Sequence, residues 1–241
     1  MNNSLVWKFR EKLIILSKQR ARQACASLPV AEAFESVYQK NLWGGRAGEF
    51  YSGTGSDPEA TDAYCTLVRE FILARQITSV VDLGCGDFRV GQKLLAPGTS
   101  YVGVDVVPSL IERNSREFGA KNVKFQVVNA IDEKPPAADL CLIRQVLQHL
   151  SNQQILAVLQ NCRGYRYLMI SDHLVMGGKP HLNVDKPHGY DTRPMGLRLD
   201  LPPFNLTTTT MLEVGIGPEE LVRTVLIEQQ APAAIGRRAS L

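Results

Sequence analysis

The segment that most constrains the fold of this chain is residues 80–87, VVDLGCGD. An apolar, β-branched run that stops at glycines is typical of a buried strand followed by a tight turn. Glycine lets the backbone turn sharply and approach a ligand closely, because it carries no Cβ. The segment therefore predicts a ligand-binding turn, Gly84-Cys85-Gly86, at the end of a buried strand.

Downstream of this turn, strand-like and helix-like segments alternate. Apolar runs predict five strands, at residues 79–83, 101–105, 123–128, 139–143 and 167–171. Helices are predicted near residues 90–95, 108–118 and 151–162, and two final strands, an antiparallel pair, at 211–214 and 221–228. This alternation predicts a Rossmann-like, doubly wound α/β fold with a mostly parallel, seven-stranded sheet. Ligands in such sheets bind beyond the carboxyl ends of the strands.

The chain is expected to have three parts. Residues 1–76 hold N-terminal helices and a lid, residues 77–230 form the ligand-binding domain, and residues 231–241 form a flexible tail. Within the second part, residues 174–210 lack periodicity and are predicted to be a substrate-side insertion. The lid is assigned to residues 41–61, the lid loop, because a plain linker has no need of the aromatic residues found in this glycine-rich stretch.

The N-terminal residues 5–27 have helical spacing and a basic character. Residues 1–28 carry a net charge of +5, which leaves −2 for the rest of a chain whose total is +3. Two interpretations stay open for this helix: it packs on its own domain or on a second copy of the chain, or it lies on an anionic membrane surface or a partner. The slightly acidic remainder argues against a nucleic-acid partner.

Cysteine usage and hydropathy bear on the compartment. The five cysteines are widely spaced without a CxxC pair, so neither a disulfide framework nor a zinc site is predicted, and no metal is assigned. The longest apolar run near the N-terminus, residues 13–16, is too short for a secretory signal or a membrane span. A cytoplasmic location is expected.

The acids around the glycine turn discriminate between cofactors. Asp82 and Asp87 flank the turn, and Asp105 ends the next predicted strand, where an acid binds both hydroxyls of a ribose. Such acids would repel the pyrophosphate of a dinucleotide, and Arg89 stands where the dinucleotide motif has its third glycine. S-adenosylmethionine (SAM) carries no phosphate and has a cationic sulfonium and an amino group. SAM, with S-adenosylhomocysteine (SAH) as product, is therefore the expected cofactor, and a nicotinamide cofactor is the alternative.

Three segments carry a family resemblance: VVDLGCGDF, YVGVDVVPSLIERN and DLCLIRQVLQHLS, in that order and spacing, resemble the signatures of class I SAM-dependent methyltransferases. NLWGGRAGEFYSGTGS and DTRPMGLRLDLPPFNL are similar to a narrower bacterial subgroup, whose members often accompany surface-polysaccharide and other glycan-modifying genes. The resemblance runs from about residue 34 to 212. It implies methyl transfer to a small-molecule or sugar-linked acceptor, such as a glycan precursor, at oxygen.

The resemblance also implies which residues bind the cofactor. The methionine part would lie against the glycine turn, the ribose on Asp105, and the adenine near Asn129. The full expected set is Asp82, Gly84, Cys85, Gly86, Asp87, Asp105, Val106, Asn129, Ala130, Arg144 and Gln145. Asn129 and Gln145 stand where relatives often carry aspartate. The amide of Asn129 can still accept a hydrogen bond from the adenine amino group, whereas Gln145 leaves open how the substrate is activated.

Methyl transfer is an in-line displacement in which the protein mainly aligns the nucleophile, and a general base adds about 10²–10⁴-fold. His149, just past the fourth predicted strand, is the first candidate base. Its alternative role is a helix-entry histidine bonded to backbone. Asp172 and His173, expected to follow the fifth strand, are further candidates, of which at most one faces the substrate.

Four residues are expected to bind the substrate. Trp43, Arg46 and Tyr51 belong to the lid loop, and their alternative role is packing against the N-terminal helices. Arg193, in the Pro-rich segment, could hold a phosphate or carboxylate by paired hydrogen bonds. An RNA methyltransferase and a non-catalytic SAM- or partner-binding protein stay open as alternative functions.

Overall fold

The structure is a computed structural model that describes residues 20, 22–177 and 182–229. Of the predicted N-terminal helix, residues 22–27 are described, and they are helical. Most of that helix and the predicted tail at 231–241 lie outside the described residues. Among the described residues, no helix combines the length and the apolar character needed to cross a membrane.

Seven strands form one sheet in the order β3-β2-β1-β4-β5-β7-β6. The strands are β1 (Ser79–Leu83), β2 (Ser100–Asp105), β3 (Val123–Val127), β4 (Leu140–Arg144), β5 (Tyr167–Val175), β6 (Thr209–Gly215) and β7 (Glu220–Glu228). The first five are parallel, and β7 runs antiparallel to both β5 and β6. The predicted mostly parallel, doubly wound sheet is confirmed. Because the chain reverses its strand order between β1 and β4, a crevice opens at their carboxyl ends.

Four described helices flank the sheet: α1 (Val30–Gln39), α2 (Pro58–Ala74), α3 (Pro108–Phe118) and α4 (Asn152–Asn161). Proline at the first turn starts both α2 and α3, where its missing N–H has no intrahelical acceptor to lose. Ser151 caps α4 through a reciprocal capping box with Gln154. Since α2 begins at Pro58, the irregular part of the lid loop ends at residue 57.

The core lies on both faces of the sheet, as parallel strands require. Successive residues of β4 alternate between the two clusters: Cys141 and Ile143 pack with α1 and α4, whereas Leu140 and Leu142 pack with α2. The central strand β4 is therefore apolar up to Arg144 at its carboxyl end.

Strand β5 corrects one expectation. It was predicted to end at Ser171, but it runs on to Val175, so Asp172 and His173 lie inside the strand. They pair with Arg223 and Val222 of β7, and this long-range pairing extends a strand whose own sequence turns polar. Their side chains point to opposite faces of the sheet.

Candidate active site

A cavity of about 320 Å³ opens at the carboxyl ends of β1, β2 and β4. Its floor, which we call the cavity floor, is built from residues 82–87, 104–106, 128–131 and 144–146. Its cover, which we call the cavity cover, is formed by α1, the lid loop, Tyr190 and Thr192, with His149 between floor and cover. The volume lies within the roughly 300–1,000 Å³ typical of small-molecule sites. All eleven residues expected to bind the cofactor line this one cavity.

The two glycines of the turn are required by close contacts within the protein. Gly84 and Gly86 have φ values of 73° and 54°, the left-handed region that favours glycine. A Cβ on Gly84 would overlap Val146 Cγ2, and a Cβ on Gly86 would overlap Ser52 Oγ of the lid loop. The glycines thus bring the turn against both the end of β4 and the lid loop, which leaves the turn backbone on the cavity wall.

Two carboxyl groups stand at the cavity floor, the buried Asp82 and the half-buried Asp105. Asp105 accepts hydrogen bonds from the N–H groups of Gly86, at 3.2 Å, and Val107, at 3.1 Å. Asp82 accepts a 2.6 Å hydrogen bond from the Tyr101 hydroxyl. Burial raises the pKa of each carboxyl to about 6. A ligand that brings a cation or hydroxyl donors would stabilise their ionised forms.

Asp87 fastens the lid loop to the glycine turn. Its Oδ2 accepts the N–H of Ser52 at 3.1 Å, and its own N–H donates to Ser52 Oγ at 2.9 Å. The Tyr38 hydroxyl of α1 lies 3.0 Å from the same Ser52 Oγ, and Arg89 Nε lies 2.8 Å from Asp87 Oδ2. Burial raises the pKa of Asp87. Sequence reasoning missed Ser52 and Tyr38, since nothing local marks a serine or a helical tyrosine as a latch.

The far end of the floor follows β3. Asn129 Oδ1 accepts the N–H of Ile131 at 3.2 Å, and its Nδ2 donates to Asp132 at 2.6 Å. The amide oxygen therefore shapes the local turn and keeps one lone pair for a further donor. The buried Ala130 beside it is fixed by Asn161 of α4, which donates to its carbonyl at 3.0 Å.

Arg144 and Gln145 end β4. Arg144 donates to the Ala60 carbonyl at 3.0 Å and lies over the Tyr64 ring, 5.3 Å from its centroid. Burial lowers the pKa of this guanidinium. Gln145, with φ at 59°, accepts a 2.6 Å hydrogen bond from the Gln148 side chain. Both residues thus line the cavity while bonding to protein groups.

His149 has the backbone bonding of its alternative role, and it also lines the cavity. It is buried, and its Nδ1 lies 3.2 Å from the Gly189 carbonyl and 3.3 Å from the Asp191 carbonyl. Because both partners only accept, Nδ1 carries the proton and Nε2 is left as the acceptor. Burial lowers the pKa of the imidazole to about 4, so it is neutral near pH 7. The histidine is bonded to backbone and also forms part of the cavity wall.

Aromatic side chains surround this histidine. The Trp43 ring centroid lies 5.3 Å from that of His149, and Trp43 Nε1 donates to the Tyr190 carbonyl at 3.0 Å. Phe34 meets His149 edge-on at 6.3 Å, and Tyr38 meets Trp43 edge-on at 5.4 Å. Trp43 lines the cavity as expected for a lid residue, and it also packs on α1, as its alternative role required.

Arg193 is not where a substrate-binding residue would be. It is 2% exposed and does not line the cavity. Its guanidinium donates to the Leu150 carbonyl at 2.7 Å and the Val184 carbonyl at 2.8 Å. The paired hydrogen bonds expected for an acceptor anion instead tie the insertion to the start of α4. Thr192 and Tyr190, which sequence reasoning did not single out, line the cavity in its place.

The other two catalytic candidates also lie outside the cavity lining. Asp172 is buried on β5, and burial raises its pKa to about 8 despite the opposing charges of Arg193 and Arg144. His173 lies 3.4 Å from Glu220 Oε2 on β7. Their position inside the strand, rather than beyond it, removes both from the cavity wall.

Arg46 and Tyr51 of the lid loop face away from the cavity. Arg46 is exposed, and its backbone N–H donates to Glu49. The Tyr51 hydroxyl donates to Asp57 at 2.9 Å, and the Arg89 guanidinium lies 4.8 Å above its ring centroid. These contacts lie within the lid loop and between it and Arg89, and neither Arg46 nor Tyr51 lines the cavity.

No group of three or more histidine, cysteine, aspartate or glutamate side chains in the described part of the chain is arranged to hold a metal ion. The five cysteines are free and buried. The ionisable side chains that line the cavity are the acids of the floor, Arg144, the neutral His149, tyrosines and one thiol.

Comparison by sequence links part of the chain to known proteins. Residues 81–166, from β1 to the residue before β5, match the model of a methyltransferase domain. No curated protein sequence matches the chain.

Comparison by structure gives many likenesses, all at low sequence identity. The N-terminal domain of EvdMO1, solved in the presence of SAH and D-fucose, is 17% identical with a TM-score of 0.52, covering 78% of this chain and 88% of that one. The N-methyltransferase NodS from Bradyrhizobium japonicum WM9, in complex with SAH, is 15% identical with a TM-score of 0.54, covering 80% and 98%. Magnesium protoporphyrin IX methyltransferase from Synechocystis PCC 6803, with bound SAH, is 13% identical with a TM-score of 0.52, covering 82% and 97%. The chain has the fold of these SAH-bound methyltransferases.

Proposed function

We propose that the chain is a SAM-dependent methyltransferase that acts on a small-molecule or sugar-linked acceptor at oxygen. The observation that carries the proposal is Asp105, a half-buried carboxyl at the end of β2 that is hydrogen-bonded to the glycine turn of the same cavity. The methyltransferase-domain match and the SAH bound to structural neighbours support the cofactor. The resemblance of the lid loop and the Pro-rich segment to the glycan-associated subgroup supports the acceptor.

The cavity floor suits this cofactor chemically. Among the described residues, no cation lies within hydrogen-bonding distance of Asp82 or Asp105, and a sulfonium and an ammonium group would supply positive charge there. Asp105 would hold the ribose hydroxyls, the glycine turn the methionine part, and Asn129 with Ala130 the adenine. When bound, SAM supplies the electrophilic methyl group.

His149 is the side chain that would receive the proton of the acceptor hydroxyl. Its Nδ1 proton is held by the carbonyls of Gly189 and Asp191, so Nε2 is the acceptor, and Gln148 Nε2, 3.5 Å away, is the donor that the acceptor hydroxyl would replace. A pKa of about 4 makes it a weak base, and the proton therefore moves to Nε2 as the oxygen–carbon bond forms rather than before. Trp43 and the carbonyls fix the ring in this orientation, which aligns the nucleophile.

The first experiment compares two isosteric variants, Asp105→Asn and Asp139→Asn. Asp139 is also a carboxylate at a strand end, but it binds Thr78 and Ser79 at the opposite edge of the sheet. Calorimetry should show that Asp105→Asn weakens SAM binding about 100-fold, because the amide lacks the negative charge and one of the two oxygens that would accept hydrogen bonds from the ribose. Asp139→Asn should leave SAM affinity unchanged. Equal affinities in the two variants would refute the assignment of Asp105.

The second experiment tests the reaction. The protein is incubated with methyl-labelled SAM and a panel of hydroxyl-bearing acceptors, sugars included. Label in a small acceptor supports the proposal, whereas label that appears only in added RNA would refute it in favour of an RNA methyltransferase. SAM binding without label transfer to any acceptor would support the non-catalytic alternative.

A further inference from the structure

The charges on the cavity wall bear on what the acceptor can be. Among the described residues that line the cavity are three acids, Asp82, Asp87 and Asp105, and one cation, Arg144, and Asp87 is paired with Arg89. Arg144 Nη2 donates to the Ala60 carbonyl and the guanidinium covers the Tyr64 ring, whereas its Nε has no hydrogen-bond partner in the described part of the chain. An anionic group in the cavity would thus compete with Asp82 and Asp105 for a single guanidinium on the described wall.

Arg193, the residue expected to bind an anionic group of the acceptor, does not line the cavity. Arg193, the arginine of the Pro-rich segment, is 2% exposed and bonded to two backbone carbonyls. The residue before it, Thr192, is the exposed side chain that lines the cavity in this segment. The cavity cover thus contributes a neutral hydroxyl where a phosphate-binding site would need a cation.

The wall beside His149 is aromatic. Trp43 and Phe34 lie against the imidazole with ring centroids 5.3 and 6.3 Å away, and Tyr190 lines the cavity next to them. The indole of Trp43 is held in place by its hydrogen bond to the Tyr190 carbonyl. Such a wall binds a flat, apolar face by burial of apolar surface and by ring stacking. Ring stacking adds about 0.5–1.5 kcal/mol to the stabilisation that the buried area provides.

From these observations we propose that the acceptor is an uncharged molecule that lays a flat apolar face against Trp43 and presents a hydroxyl to His149. Phosphorylated and nucleotide-linked acceptors are disfavoured, because a single guanidinium on the described wall would have to offset their charge beside Asp82 and Asp105. The inference rests on the proposed function and narrows its acceptor class.

The test uses the SAH-loaded wild-type protein and two probes of the same ring system, naphthol and naphthyl phosphate. Calorimetry should show naphthol binding at least about tenfold more tightly, since only the phosphate ester brings charge. Equal or tighter binding of naphthyl phosphate, or no binding of either probe, would overturn the inference.

Two substitutions locate the effect. Thr192→Lys places an ammonium group at the cavity and should tighten naphthyl phosphate several-fold while leaving naphthol nearly unchanged. Trp43→Ala should weaken naphthol about tenfold, whereas Trp43→Phe, which keeps an aromatic face and removes only the bond to Tyr190, should weaken it less. An unaltered preference in Thr192→Lys, or equal naphthol affinity in both Trp43 variants, counts against the proposal.

SAH affinity, measured for each protein, separates the two levels of the argument. Failure of SAH to bind the wild type would refute the proposed function and with it this inference. Tight SAH binding together with a preference for the phosphate ester would refute the uncharged acceptor alone and leave the methyltransferase proposal in place.

Discussion

The cavity floor and the cavity cover are built in different ways. The floor consists of strand ends whose positions follow from the main-chain ladder, and its acids come from residues close in sequence to the glycine turn. The cover is held by side chains that join distant segments: the bond from Trp43 to the Tyr190 carbonyl spans 147 residues. In the proposed function, the floor binds the cofactor and the cover contacts the acceptor, so the two regions can be tested separately.

The largest expected effect is at His149, which lies between the cavity floor and the cavity cover. His149→Ala should reduce turnover about 10²–10⁴-fold, because the proton acceptor is lost, and should leave SAM affinity nearly unchanged. The matched control is His173→Ala, a histidine on β5 outside the cavity lining, which should retain wild-type turnover. Label transfer and calorimetry measure the two quantities, and equal losses of turnover and SAM affinity in His149→Ala would make the residue structural.

The second prediction concerns Asp172, a buried carboxyl that belongs neither to the cavity floor nor to the cavity cover. Its pKa of about 8 lies above the unfolded value near 4, so the unfolded chain ionises first, and stability falls as pH rises from about 4 to 8. Asp172→Asn removes this penalty and should raise the free energy of unfolding near pH 8 by on the order of 2 kcal/mol.

Thermal unfolding at several pH values measures this gain, which should shrink toward pH 4. The control is Asp200→Asn: Asp200 is exposed and bonded to Arg198, which lowers its pKa, so its substitution should destabilise slightly above the acid range. A loss of stability in Asp172→Asn near pH 8 would contradict the assignment of a penalised carboxyl.

The third prediction is a pH dependence of the floor alone. Asp82 and Asp105, with pKa values of about 6, are ionised near pH 7.5 and largely protonated near pH 5. A cationic ligand favours the ionised form, so SAM affinity should fall about tenfold over this range. Calorimetry of the wild type checks this, and Asp105→Asn should show a flatter profile. A constant wild-type affinity would exclude these carboxyls from cofactor binding.

The smallest expected effect is on the latch between the two regions. Ser52→Ala removes the hydroxyl that accepts the Asp87 N–H and contacts Tyr38, and it should speed SAH dissociation several-fold. Ser56→Ala is the matched control, because the Ser56 hydroxyl donates only to the Gly53 carbonyl within the lid loop. Stopped-flow displacement measures both, and equal rates would show that the lid loop does not limit release.

The same contrast explains how much of the fold could be predicted from the sequence. Strand positions follow from local apolar runs, and α3 occupies the predicted residues 108–118 because proline starts it and its apolar spacing is regular. The predicted end of β5 was wrong, because the last four residues of the strand depend on pairing with β7, some fifty residues away. Local patterns specify elements, whereas long-range pairing decides where they stop.

The candidate site divides along the same line. The residues expected to bind the cofactor all line the cavity, since glycines and acids at strand ends are local signals. The position of Arg193 could not be predicted, because the sequence pattern of a Pro-rich segment is the same for a buried arginine bonded to carbonyls and for an exposed arginine that binds a ligand. Tyr38, Ser52 and Tyr190 carry no local signal, because their roles arise only when α1, the lid loop and the insertion meet.

The central claim is that the cavity binds SAM rather than a dinucleotide. The most direct measurement is a calorimetric titration of the wild-type protein with SAH and, separately, with NAD⁺. The account predicts saturable binding of one SAH per chain and no heat of binding with NAD⁺, because the acids of the floor repel a pyrophosphate. Binding of NAD⁺ without binding of SAH would contradict it.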